Sequence, residues 1–178
     1  NTNNYFITHE VRSELLFHLG NVFRKMSETE KAIDCLTLAN FEAEAHYQTE
    51  LERQGYLPID VDDDETNTIY PHHFDALLLR VDVRMFQLAK DMPLDPNKKR
   101  EALASVVLEA RTVHKLMQDS QYPQTYKGTI KLAQLLQQQM QLTRESPTHM
   151  LKEARALLKE GREQAQKHAQ NKKKHNSQ

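Results

Sequence analysis

The sequence predicts an all-α protein of about six helices, paired in order into three antiparallel hairpins. Three observations carry that prediction. Apolar residues recur at steps of three and four along most of the chain, the spacing that lines up one side of a helix. Gly and Pro are scarce, 4 and 6 in 178 residues, and the prolines fall at breaks in the apolar pattern. No stretch alternates in the way a half-buried strand requires. Charged residues make up 28% and hydrophobic residues 38%, which suits helices with one wet side.

Residues 1–7, NTNNYFI, read as an incoming loop, and residues 8–167 as the helical domain. The first helix is expected from about Thr8 to Met26, with Val11, Leu15, Leu16, Leu19, Val22 and Phe23 inward. Ser27 is then expected to cap the second helix, with Glu30 at the capping-box position. Ala32, Leu36, Ala39, Ala43, His46 and Leu51 keep helical spacing up to Gly55, a C-terminal stop. Residues 56–70, YLPIDVDDDETNTIY, form an acidic connector, with five acidic residues between Asp60 and Glu65. Its length exceeds that of ordinary helix connections.

Pro71 is expected to open the third helix, whose Phe74, Leu78, Val81, Met85, Leu88 and Met92 form one apolar seam. Pro93 and Pro96 break it, and Asp95-Pro96 supplies an N-cap and first position for the next helix. The fourth helix, to about Asp119, faces inward with Ala102, Val106, Ala110, Val113 and Met117, flanked by Leu103, Val107 and His114. After the turn SQYPQT, a fifth helix from about Thr125 to Arg144 buries Ile130, Leu132, Ala133, Leu136 and Met140. Its outer side is Gln134, Gln137, Gln138, Gln139 and Gln141. Ser146-Pro147 caps a sixth helix carrying Leu151, Ala154, Leu157, Leu158 and Gly161. Residues 168–178 lack an apolar face and read as a disordered basic tail.

The stretch from Leu16 to Ala39 organises the rest. Leu16, Leu19, Gly20 and Phe23 share a helical face, and Ala32, Leu36 and Ala39 share another across a short polar turn. Gly inside a helix costs roughly 1 kcal/mol against Ala, so Gly20 points to close helix packing. The pattern Leu19-Gly20-x2-Phe23-x8-Ala32-x3-Leu36-x2-Ala39 resembles the tetratricopeptide-repeat signature, with Leu16 in place of the usual first-helix Trp. Leu132-Ala133-x2-Leu136 and Ala154-x3-Leu158-x2-Gly161 resemble the two halves of a degenerate second copy. The resemblance implies a right-handed stack of helical hairpins and a binding role rather than catalysis. It also implies that the exposed first-helix residues Arg12, Glu14, Asn21 and Arg24 contact a partner. That partner is a helix or extended peptide of another protein, which can itself be of the repeat class. A second, narrower resemblance rests on Val11-Arg12 and Phe17-His18-Leu19-x-Asn21-x-Phe23. These are similar to the carboxy-terminal repeat region of the axonemal MYND-type zinc-finger family. That resemblance implies a cytoplasmic setting in a ciliary or flagellar axoneme. The zinc finger is absent from this sequence, so it implies no metal.

Composition and motifs disfavour other classes. No apolar run approaches the ~20 residues of a membrane span. Cys35 is the single cysteine, which fits half-buried filler in a reducing compartment. The net charge of −1 conceals a +5 segment from Leu151 onward against −6 for the rest. Lys172-Lys173-Lys174 offers an acidic surface or nucleic acid a contact, the alternative function, but the acidic remainder would repel phosphate. No aromatic follows Tyr126 to stack on a base. Asp60-x-Asp62-x-Asp64 begins like a calcium loop but has Glu65 and Pro71 where Gly and the bidentate Glu belong. His72-His73 lacks the i, i+4 spacing of a helical metal pair. Neither phosphate loop, nucleophile elbow nor catalytic carboxylate pair is present. The expectation is therefore no enzyme, no cofactor and no metal.

Overall fold

The computed structural model describes residues 7–53, 69–90, 95–143 and 148–175. The Asp60–Glu65 acidic run, Gly55, Pro93 and Ser146-Pro147 lie outside them, as do residues 1–6 and the side chains of Lys172, Lys173 and Lys174. Among the described residues the chain is all-α: α1 His9–Lys25, α2 Thr29–Arg53, α3 Phe74–Lys90, α4 Pro96–Asp119, α5 Thr125–Thr143 and α6 Thr148–His175. It divides into two compact units, residues 1–84 and 85–178, with the boundary inside α3.

In the first unit α1 and α2 form an antiparallel hairpin. Gly20 of α1 lies on Leu36 and the Ala32 carbonyl of α2, and the buried Ser13 hydroxyl donates to the Ala39 carbonyl at 2.7 Å. Ala32, Leu36 and Ala39 are fully buried, and Ala76 and Val83 of α3 close the same cluster. Leu16, Phe17, Phe23, Ile33 and Leu79 pack around its edge. The small residues serve as the spacing suggested, because they let backbones approach.

The turn between α1 and α2 differs from expectation. Ser27 has φ of +61° and is not an N-cap. The Glu28 N–H donates to the Phe23 carbonyl and the Ser27 N–H to the Arg24 carbonyl, each at 3.0 Å. That pair of bonds is a Schellman closure, with Ser27 as its left-handed residue. The same device ends α4, where Gln121 has φ of +51° and Tyr122 N–H reaches the Met117 carbonyl at 2.9 Å.

Two helices depart from single-face amphipathicity. In α3 the expected Phe74, Leu78 and Val81 are buried, but so are Ala76, Leu77 and Val83, so its first half is buried on more than one side. In α1 the expected inward Val11, Leu15, Leu19 and Val22 are exposed. One hairpin partner covers only one side of a helix, and these four lie on the far side.

The second unit contains α4, α5 and α6, with α5 packed against both neighbours. Leu103, Val106, Val107, Ala110, Val113 and Met117 of α4 are buried, and Leu132, Ala133, Leu135, Leu136 and Met140 of α5 join them. Gly128 sits on the Met117 sulfur, and Gly161 of α6 on Ile130 and Thr129. The buried Thr129 hydroxyl accepts from His114 Nε2 at 3.0 Å. The Thr125 carbonyl at 3.2 Å and Gln164 Oε1 at 3.3 Å compete for its own proton. Arg111 of α4 and Glu153 of α6 make a two-point ion pair, one bond of which is 2.9 Å.

The basic tail expected from residue 168 is also corrected. The α6 helix continues to His175, and the His168 ring packs on Tyr126, centroids 5.6 Å apart. Residues 165–175 lack an apolar face but are rich in Gln, Lys and Ala, which extend a helix at little cost once it is nucleated.

Candidate functional site

Among the residues expected to bind a partner, the structure places all four on α1 without gathering them on one face. Arg12 lies 3.9 Å from Glu42 of α2, which is itself bonded to His9 at 2.6 Å. Glu14 is exposed and stands between His18 at 3.9 Å and His73 at 3.4 Å. Asn21 accepts from the Arg24 guanidinium at 3.1 and 3.2 Å, one turn away as the spacing required. At 100° per residue Arg12 falls on one flank of α1, Glu14 and Asn21 on the other, and Arg24 on the α2 side. Of the repeat-signature residues, Gly20, Ala32, Leu36 and Ala39 are buried, Leu16 and Phe23 are half-buried, and Leu19 is exposed. The Lys31 ammonium covers the Phe23 ring at 5.5 Å.

The histidine pair separates. His72 Nδ1 meets Glu44 Oε1 of α2 at 3.1 Å, whereas His73 turns toward α1. His73 is the N-cap of α3: its Nδ1 accepts from the Ala76 N–H at 3.2 Å, the place where Asp or Ser usually serves. The third helix therefore starts at Phe74 rather than at Pro71. The His73 ring lies against Phe17, centroids 4.8 Å apart. Accepting at Nδ1 leaves the proton on Nε2, which is buried, has no aligned hydrogen bond and faces the Glu14 carboxylate. Burial lowers the His73 pKa against the opposing pull of Glu14 and Asp75. Burial likewise lowers the His114 pKa, opposed by Glu160. Among the described residues no group of three or more His, Cys, Asp or Glu could hold a metal ion. Cys35 is half-buried, and burial followed by the nearby Asp34 charge raises its thiol pKa, the reverse of an activated nucleophile.

Two concave surfaces stand out beyond the sequence expectations. One, of about 520 Å³, lies on α2 and the entry to α3, lined by Phe41, Glu44, Ala45, Tyr47, Gln48, Pro71 and His72. Phe41 is 65% exposed there, an aromatic ring outside the core. Its i, i+6 relation to Tyr47 is no standard helical stripe, and Pro71 and His72 join only through tertiary packing, so no sequence pattern announced the groove. The other, of about 340 Å³, lies along α6 between Arg155, Leu158, Lys159, Arg162, Glu163 and Gln166. Lys159 reaches Glu163 only at 4.0 Å and is mostly exposed. Among the described residues no helix is long and apolar enough to cross a membrane.

Comparison with protein-family models, with curated proteins and with solved structures finds no match.

Proposed function

We propose that this chain is a non-catalytic protein-interaction module, a scaffold of tetratricopeptide-like hairpins that holds a helix or extended peptide of another protein. The observation that carries the reading is the α2 groove. Phe41, Tyr47 and Pro71 give it apolar walls, while Glu44, Gln48 and His72 supply polar groups that can fix a peptide's direction. Its size and mixed lining suit a few side chains of a peptide. The titratable groups in the core support the same reading, since His73 caps a helix and His114 anchors Thr129. Arg12, Glu14, Asn21 and Arg24 frame the α1 side of the hairpin as additional partner contacts. The resemblance of the first hairpin to axonemal repeat proteins supports a cytoplasmic adaptor in a ciliary assembly, with a second repeat protein as partner. Affinity capture with the full chain, wild type against Phe41→Glu, tests the reading by mass spectrometry. A protein retained by the wild type and lost with Phe41→Glu is expected; identical captured sets would refute the groove as the site.

The α6 ridge favours a second reading, binding to an acidic surface or nucleic acid. Arg155, Lys159 and Arg162 follow i, i+4, i+7 spacing and so share one helix face. Such binding would weaken steeply with salt, whereas capture in an apolar groove would not.

A further inference from the structure

The groove on α2 holds one fixed charge. Of the residues that line it, Phe41, Glu44, Ala45, Tyr47, Gln48, Pro71 and His72, only Glu44 is an acid, and none is Lys or Arg. At 100° per residue Glu44 falls between Phe41 and Tyr47 on the helix circumference, so its carboxylate stands between the two aromatic positions. Its Oε1 accepts from Asn40 Nδ2 at 2.7 Å and from His72 Nδ1 at 3.1 Å, which leaves Oε2 for a ligand. Among the described residues no Lys or Arg pairs with Glu44. The Lys and Arg of α2 are engaged elsewhere, Lys31 with Glu28 and Arg53 with Glu50.

A peptide that covers the groove strips water from this carboxylate. Burying a charge is costly unless an opposite charge and hydrogen bonds replace the water. A backbone N–H would supply the bond but leave the charge unanswered. A Lys or Arg side chain supplies both at Oε2, and its aliphatic stem can lie on the Phe41 ring, which is 65% exposed. We propose that the groove takes a peptide with a Lys or Arg seated on Glu44 and an apolar residue seated against the Phe41, Ala45 and Pro71 walls. The inference rests on the reading of this groove as a peptide site and adds the chemistry of its ligand. Phe41 to Gln48 spans roughly 10 Å along the helix axis, the length of about three extended residues. The basic and apolar residues therefore stand next to each other or next but one. The wider field agrees in sign. Residues 1–84 form one compact unit and carry sixteen acidic side chains against seven Lys and Arg, which draws a basic segment in and repels an acidic one.

A random peptide library displayed on phage, panned against the full chain at physiological ionic strength, tests it. The recovered peptides are resynthesised and titrated by fluorescence anisotropy. They should carry Lys or Arg next to, or next but one to, an apolar residue. Glu44→Gln keeps an oxygen for Asn40 and His72 but removes the charge, and it should weaken binding about tenfold, the effect of one hydrogen bond to a charged group. Asp34→Asn removes an exposed charge of the same helix that lies roughly 15 Å away along the axis. It should change affinity by about twofold or less. Peptides that need Phe41 but lack a basic residue, or that bind Glu44→Gln as well as wild type, would overturn the inference and leave the groove reading standing. An equal loss with Asp34→Asn would reduce the effect to general charge and overturn it too. So would a failure to recover any peptide, or Phe41-dependent dimerisation in the ultracentrifuge, which would make a second copy the occupant. Peptides indifferent to Phe41→Ala, which removes the apolar wall without changing charge, would overturn the groove reading itself.

Discussion

Replacing Gly20 by Ala tests the contact that organises the first hairpin. A Cβ at residue 20 would stand 2.8 Å from Leu36 Cγ and 2.9 Å from its Cδ2, with the Ala32 carbonyl oxygen at 3.4 Å. Carbon atoms settle at about 3.5–4.0 Å, so Leu36 would have to retreat by roughly 0.7 Å. It has little room, being fully buried among Ala32, Ala39, Ala76 and Val83. Overpacking of this kind costs about 1–3 kcal/mol. Alanine regains about 1 kcal/mol of helix propensity over glycine. The net expectation is a loss of about 1 kcal/mol, within a range of roughly 0–2. The cause can be isolated with Leu36→Ala, which alone should cost about 2–5 kcal/mol but should cost less when Gly20→Ala is already in place. The two changes should therefore couple favourably by about 1–2 kcal/mol in a double-mutant cycle. Urea unfolding followed by far-ultraviolet circular dichroism measures all four proteins. Additive effects, or a Gly20→Ala protein stabilised by the full propensity gain, would refute close packing at this crossing.

Other substitutions and conditions probe the remaining structure. Gly128→Ala should be milder than Gly20→Ala, because its nearest neighbour is the flexible Met117 sulfur at 2.7 Å; an equal midpoint shift would contradict the difference in compliance. Ser27→Gly and Gln121→Gly should each stabilise by about 0.5–1 kcal/mol, since both positions hold a left-handed backbone that glycine adopts freely, and unchanged midpoints would count against the Schellman turns. Thr129→Val should destabilise by about 1–3 kcal/mol by leaving His114 Nε2 without its buried partner, and hydrogen exchange of the α5 amides would report it. The folded-state pKa values of His73 and His114 are lowered, so their contribution to stability is complete above the unfolded value of about 6.5. It declines as pH falls below that. A protonated His73 also cannot accept from Ala76, so the start of α3 should loosen first. Nuclear magnetic resonance titration of both rings alongside thermal midpoints from pH 7.5 to pH 5 checks this, and midpoints that rise on acidification would refute it.

Much of the fold is legible in the sequence because helices expose their packing as periodicity. Gly20, Ala32, Leu36 and Ala39 can be read as a crossing from their spacing, and so can the inner residues of α4 and α5. The second face of α1 defeats the same reasoning because α1 is apolar on two sides. Spacing places Leu15 and Leu19 on a helix, but it does not say which side finds a neighbour. Ser27 and Glu30 match a capping box, yet the closely packed hairpin needs a sharper reversal, which a left-handed Ser27 supplies. His73 escapes notice because imidazole is an uncommon cap, and because Pro71 suggests an earlier start. The His114, Thr129 and Gln164 network joins three helices, so it depends on their registers rather than on any local pattern. The α2 groove is hidden for a similar reason, since Phe41 and Pro71 meet only in the fold.

The close packing of α1 on α2 has a consequence for how the first hairpin acquires its structure. The Ser13 hydroxyl reaches the Ala39 carbonyl only 26 residues on, and Gly20 meets Leu36 across a single tight turn. Loops this short cost little entropy to close, and topologies with local contacts fold in microseconds to milliseconds. A ribosome adds roughly 5–20 residues per second, far more slowly than such a hairpin closes. The α1–α2 pair can therefore assemble soon after Arg53 has emerged, before the helices that follow have emerged. Until α3 joins it, that pair would keep one core side open, the side of Ala32, Leu36 and Ala39 that Ala76 and Val83 close in the finished unit.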